Sequence, residues 1–320
     1  MDSAELQKLA QHSRSMREAG IALVFASGVL ALFLFLPNYG SLTSNSNSIS
    51  QTSQNSATST PDAFANISIE AKAAIVYDLA TGETLYDKNA DAQLPLASLT
   101  KLLTVYAALA TLSPNTPITI PDDITQIDAP RAFNAGQIFS LYDIARLTLT
   151  ASLNDGATAI ARATADRENR TASAMLANAA SSLNLSQTYA VNGSGLDVSA
   201  TVSGGYGSAR DLARLSGALV AKSPIIAMAT TRSSAQASSE GGTSFSVKNT
   251  DPFVGTLPRL LLSKTGYTDL AGGNLSLVFD AGINHPIAVV VLGSSKNERF
   301  TDGTALVAAT IEHFADISSI

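Results

Sequence analysis

The sequence predicts an α/β (α+β) protein in which strands from both ends of the folded region build one antiparallel sheet around a helical insert. Three observations carry this. Strand-like runs stand at Ala73 to Leu79 and Thr84 to Tyr86, joined by Thr81-Gly82. Far downstream, Leu275, Leu277 and Phe279, and then Ile287, Val289 and Val291, alternate with the period of two that a strand requires. Between these blocks the apolar spacing changes to three and four.

Composition narrows the function classes. The chain has 320 residues, 45% of them hydrophobic and 14% charged, enough to build a sizeable core. A net charge of -6 argues against nucleic acid as a partner. With no cysteine, disulfides, thiolate catalysis and cysteine metal sites are excluded. The only histidines are His12, His285 and His313, scattered along the chain, which leaves a Ser-His-Asp triad or a histidine zinc site poorly supported.

The elements follow in order. Residues 1–18 carry Lys8, Arg14 and Arg17 and read as a cytoplasmic N-terminus. Residues 19–36 are an uncharged, mostly apolar run that would reach about 27 Å as a helix, close to the hydrocarbon thickness of a bilayer. No lysine or arginine follows until Lys72, which orients the rest of the chain outward, on the extracytoplasmic side of a single-pass span. The rival reading is a cleaved signal peptide; both export the remainder. Residues 37–65, rich in Ser, Thr, Asn and Gln, read as a flexible linker reaching about 30 Å. Residues 66–320 form the folded domain.

Within that domain a helix is expected from Ser98 to about Leu112, because Leu99, Leu102, Leu103, Tyr106, Leu109 and Ala110 share one face. A second starts at Leu141 with Ser140 as N-cap and breaks between Leu153 and Gly156, where an Ala-rich helix follows. Another runs from Ser208 to about Lys222, capped by its serine. Leu260 to Leu262 lead into a strand holding Lys264-Thr265-Gly266, and Val307, Ile311 and Phe314 mark a C-terminal helix.

Chemistry concentrates in three short motifs. Of eight lysines, only Lys101 has a serine three positions before it. At that spacing Ser98 and Lys101 share one helical face, and a lysine held neutral there can take the serine proton and create an acyl-transfer nucleophile. Lys264-Thr265-Gly266 occurs once. Ser152-Leu153-Asn154 is a weaker signal, since Ser-x-Asn also occurs at Ser53, Ser182 and Ser295, but it falls on a turn between two predicted helices.

In this order the motifs resemble those of the serine D-alanyl-D-alanine carboxypeptidases, low-molecular-weight penicillin-binding proteins of the β-lactamase/transpeptidase-like fold. Further similar stretches are Ala73 to Asp78 with Thr81-Gly82-Glu83, Asn89-Ala90-Asp91 before Leu94 to Ser98, Gly195-Leu196-Asp197, Ser208 to Ala213, and Tyr267-Thr268 with Ala271-Gly272. The resemblance covers about residues 67–317. It implies that Ser98 attacks the carbonyl of a terminal D-alanine bond in a peptidoglycan stem peptide, with Lys101 as base and Lys264 as a second cation that keeps Lys101 neutral. Ser152 would relay the proton to the leaving D-alanine and Asn154 would bond Lys101 and the substrate amide. Lys264 and Thr265 would bind the terminal carboxylate, and Gly266 would clear room for substrate along its strand. The backbone N–H groups of Ser98 and Tyr267 would hold the oxyanion. Arg299 is a further carboxylate candidate, with a surface salt bridge as its other reading. β-Lactams would acylate the same serine, and no metal or organic cofactor is implied.

Alternatives remain. A DD-endopeptidase would cut cross-links with the same groups. A class A serine β-lactamase needs a glutamate for deacylation, and between Asn154 and Lys264 only Glu168 and Glu240 occur, neither within Glu-x-x-Leu-Asn. A silent peptidoglycan-binding protein would have no use for intact Ser98, Lys101, Asn154 and Lys264.

Overall fold

Successive residues of a strand point to opposite faces of a sheet, and here both faces are buried. The computed structural model describes residues 62–282 and 284–317. The predicted membrane span lies outside the described residues, as does the predicted linker up to residue 61. Among the described residues no helix is long and apolar enough to cross a membrane.

The chain enters with β1 (Ala73–Asp78) and β2 (Thr84–Lys88), the predicted hairpin, and the short β3 (Leu94–Pro95). A 3-10 turn, Ala97–Leu99, leads into α1 (Thr100–Thr111). Then come β4 (Pro117–Thr119), β5 (Ile138–Ser140), α2 (Leu141–Ala151), α3 (Asn154–Glu168) and α4 (Ala172–Ser182). The short strands β6 (Tyr189–Ala190) and β7 (Gly205–Gly207) precede α5 (Ala209–Lys222), α6 (Pro224–Ala229) and the hairpin β8 (Ser234–Ser238) and β9 (Ser244–Lys248). The chain closes with β10 (Leu260–Thr268), β11 (Gly272–Asp280), β12 (Pro286–Ser294) and α7 (Glu298–Ile317).

The main sheet has the order β10-β11-β12-β1-β2, antiparallel throughout. Its first strand therefore lies beside its last, as expected. One face presents Ala73, Ile75, Val278, Ala288, Val290 and Leu292 to a core completed by Leu99, Leu102, Leu212 and Leu215. The other presents Ala74, Val76, Leu275, Leu277, Phe279, Ile287, Val289 and Val291 to Leu306 and Val307 of α7. Each large apolar side chain so buried contributes about 1.5–3 kcal/mol. Phe64 packs into this second core and its ring meets Tyr86 and His313, so packing begins ahead of residue 66.

The helical insert follows its caps. Ser140 Oγ accepts from Asp143 N and starts α2, and Ser208 Oγ accepts from Asp211 N and starts α5. Helix α1 packs against α3, α4 and α5. One boundary differs from the sequence reading: the α-helix begins at Thr100, and Ser98 sits on the preceding 3-10 turn. That turn opens at Ala97, whose φ of +48° lies outside the right-handed helical region.

Candidate active site

The backbone is forced into two uncommon shapes where the motifs meet. Ala97, just before Ser98, has φ +48°, and Ser152 has φ +60°. Such conformations cost non-glycine residues about 1–3 kcal/mol and persist only where the surroundings impose them. Ala97 is fully buried, and its carbonyl lies so close to Gly195 that a Cβ there would collide with it. Gly195 itself has φ +76°. Ser152 is held as the C-cap of α2, its N–H donating to the Thr148 carbonyl.

Lys101, in the first turn of α1, is completely buried. Its Nζ lies 2.7 Å from Ser98 Oγ, 2.8 Å from Asn154 Oδ1 and 2.8 Å from the Ser194 carbonyl oxygen. Asn154 Nδ2 donates to the carbonyls of Asp128 and Ala129, both at 3.0 Å, so Oδ1 must face the lysine. Two fixed acceptors satisfy both N–H bonds of a neutral amine and turn its lone pair toward Ser98 Oγ. Burial holds the Lys101 pKa well below its ordinary 10.5, Lys264 pushes it the same way, and Asp155 opposes them. A neutral lysine beside a serine hydroxyl is chemically a base beside a nucleophile.

Strand β10 supplies the second wall. A Cβ on Gly266 would stand 2.9 Å from the Leu96 oxygen and 3.2 Å from Ser98 N, so only glycine lets the strand lie this close to the nucleophile's turn. Lys264, almost fully buried, donates to Ser152 Oγ at 2.9 Å and to the Thr265 carbonyl at 2.6 Å. Its pKa is lowered to about 7, by burial first and by Arg299 second. Thr265 Oγ1 lies 2.6 Å from Thr250 Oγ1. Arg299, only 7% exposed, donates from Nη1 to the Gly266 carbonyl at 2.6 Å, while Nε meets no acceptor among the described residues. Burial also lowers its pKa. It makes no surface salt bridge among the described residues. Tyr267 is 43% exposed, with Lys296 Nζ 5.2 Å from its ring centre.

The residues from the three motifs thus converge, and they bring partners that sequence reasoning missed. Asp155 is completely buried and accepts from the N–H groups of Ala132, Phe133 and Gly156 at 2.7–2.8 Å. It ties down the loop whose carbonyls orient Asn154. Asn192 Oδ1 accepts from Ser194 N and Gly195 N and so fixes the carbonyl that meets Lys101. Its Asn-x-Ser-Gly spacing is a turn signal, but nothing in it points to a lysine 93 residues earlier.

The other residues weighed stand elsewhere. Glu168 accepts from Thr111 at the far end of α1, about 15 Å along the helix from Lys101. Glu240 lies in the turn between β8 and β9. Ser295 Oγ caps α7 by accepting from Glu298 N. His285 Nε2 pairs with Asp78 Oδ2 at 2.6 Å, and His313 packs on Phe64 and Phe314. Among the described residues no group of three or more His, Asp or Glu could hold a metal ion.

Known proteins resemble this chain in sequence and in fold. Residues 55–296 match the family model for D-alanyl-D-alanine carboxypeptidase, peptidase S11. A D-alanyl-D-alanine endopeptidase of Pseudomonas aeruginosa is 31% identical over 243 residues, which are 73% of this chain and 74% of that protein. The D-alanyl-D-alanine carboxypeptidase DacF of Bacillus subtilis is 27% identical over 74% of this chain, which spans 61% of its length. Penicillin-Binding Protein D2 from Listeria monocytogenes, in its ampicillin-bound form, superposes with a TM-score of 0.63 at 26% identity, covering 77% of this chain and 98% of that one. A D-alanyl-D-alanine carboxypeptidase from Mycobacterium tuberculosis shares the fold with a TM-score of 0.67 at 24% identity, over 78% of this chain and 92% of that one. With a family model matched from residue 55 to residue 296, the chain belongs to the D-alanyl-D-alanine carboxypeptidases of peptidase family S11, which are serine-type hydrolases.

Proposed function

We propose that this enzyme removes the terminal D-alanine from peptidoglycan stem peptides through an acyl-enzyme on Ser98. The observation that carries the reading is the 2.7 Å contact between Ser98 Oγ and a fully buried Lys101 amine whose other hydrogen bonds are already assigned. Lys101 takes the hydroxyl proton as Oγ adds to the carbonyl carbon. The backbone N–H groups of Ser98 and Tyr267 hold the oxyanion. Collapse expels D-alanine, whose nitrogen takes, through Ser152, the proton that Lys101 had accepted, so that Lys101 is neutral again. Water, deprotonated by Lys101, then attacks the ester and frees Ser98.

Thr265 and Arg299 receive the substrate carboxylate. Lys264 serves it at longer range, because its Nζ is engaged by Ser152 and the Thr265 carbonyl. Its charge also favours the neutral form of Lys101. β-Lactams acylate the same serine in this reading, and the ampicillin-bound Listeria relative supports it. The length of the N-terminal run at 19–36 and the distribution of Lys and Arg around it support a location at the cell membrane with residues 66–320 on the outer side.

A second reading, cleavage of cross-links, is favoured by the 31% identical endopeptidase. The full chain should release D-alanine from a synthetic peptide ending in D-Ala-D-Ala, and Ser98→Ala should abolish it. Release that persists in Ser98→Ala overturns the nucleophile. A cross-linked muropeptide dimer cleaved while the linear peptide is spared would favour the endopeptidase.

A further inference from the structure

Thr265 has a partner that the mechanism above does not use. Its Oγ1 lies 2.6 Å from Thr250 Oγ1, and each hydroxyl is the other's side-chain partner among the described residues. Thr265 is buried and Thr250 half-buried. The segment around Thr250 is anchored on both sides of the site. Thr250 N donates to the Thr150 carbonyl, at the end of the helix that Ser152 caps. The neighbouring Asn249 donates to the carbonyls of Thr230 and Arg232 and accepts from Asp251 N. Asp251, fully buried, accepts from Ser263 Oγ at 2.6 Å on β10. Thr250 is therefore a fixed point.

Two facing hydroxyls share one hydrogen bond, and either can donate. A carboxylate can only accept. Once it accepts the hydrogen bond of the Thr265 O–H, the Thr265 oxygen is left to accept, and Thr250 is the group placed to donate to it. Chained hydrogen bonds of this kind polarise one another. We propose that Thr250 is a positioning residue: it donates to Thr265 and so commits the Thr265 hydroxyl to the carboxylate of the substrate's leaving residue. The proposal rests on the carboxypeptidase reading and goes further, assigning specificity for a free carboxylate to a hydroxyl pair rather than to one threonine.

The test compares wild type, Thr250→Val and Thr250→Ser in the full chain. One substrate is a peptide ending in D-Ala-D-Ala; the other is the same acyl-D-alanine esterified to a simple alcohol, with no carboxylate on the leaving group. Loss of one net hydrogen bond predicts that Thr250→Val raises KM for the peptide about threefold to tenfold. Neither kcat for the peptide nor hydrolysis of the ester should follow, and Thr250→Ser should restore KM. Equal losses on both substrates would mark a merely structural role and overturn the proposal, as would an unchanged KM. Acylation by a fluorescent penicillin, which carries its own carboxylate, gives a reading independent of peptide cleavage. Thr250→Val should slow it by a similar factor. If wild type is acylated but frees no D-alanine, the carboxypeptidase reading falls, and the acylation rates alone decide on Thr250.

Discussion

The two faces of the central sheet follow one alternation, yet they are built for opposite ends. The face under α7 is filled by Leu275, Leu277, Phe279, Val289 and Val291, with no charge among them. The face toward α1 and α5 borders two buried amines, Lys101 and Lys264, and a fully buried Asp155. Burying an amine is unfavourable, and the unfavourable term appears as a lowered pKa. One face stabilises the fold; the other spends part of that stability on chemistry.

The comparison can be broken most sharply at Lys101. Lys101→Met should reduce D-alanine release by about 10²–10⁴-fold, the range for loss of a positioned base. It should leave the melting temperature within a few degrees of wild type, because relief of the buried amine is offset by the loss of its bonds to Asn154 Oδ1 and the Ser194 carbonyl. A variant that unfolds instead would mean that Lys101 holds the site together. Next in size, Leu277→Ala on the opposite face should cost about 2–5 kcal/mol in urea unfolding. Activity per folded molecule should be retained, and a matching loss of turnover would show the faces to be coupled.

The pH dependence of stability sharpens the same contrast. The pKa of Lys264 is about 7 in the fold and 10.5 in its ordinary state. Between these values the unfolded chain binds more protons, so this group's contribution to stability rises with pH across the window. Below pH 7 the deficit is at its largest and constant. Lys264→Met lacks it, so its melting temperature relative to wild type should be most favourable at about pH 6 and the gap should shrink by about pH 9.5. A gap that widens on going alkaline would contradict a depressed lysine. The smallest effect is local: Ser140→Ala removes the cap of α2 and should cost about 1 kcal/mol, seen as a slightly lower melting temperature.

Much of this was legible in the chain. Ser98 and Lys101 are three residues apart, so local backbone geometry alone brings them together. The β10-β11-β12 meander follows from alternation and turn residues, and strands at both ends of the domain point to one shared sheet, while the choice of β12 as the neighbour of β1 is a long-range contact that neither signal contains. What escaped was long-range and borne by the backbone. The Ser194 carbonyl reaches Lys101 from 93 residues away, and a carbonyl leaves no trace in a side-chain pattern. Thr250 is one threonine among many until β10 passes beside it. The β8–β9 hairpin was hidden because Ser234 to Ser238 reads Ser-Ala-Gln-Ala-Ser, with little strand propensity, and pairing with Ser244–Lys248 decides its state. Arg299 proved buried rather than superficial, because it turns back onto the Gly266 carbonyl.

The closing of the sheet by β1 and β12 has a consequence for how the molecule comes into being. The nucleophile leaves the ribosome early, whereas Lys264 and the strand that completes the β1 edge emerge at 260–294. Contacts of such long sequence separation carry a large loop-closure entropy cost. A nascent chain thus carries Ser98 before residues 260–294 have been made, and so before the strand that bears Lys264 can complete the groove.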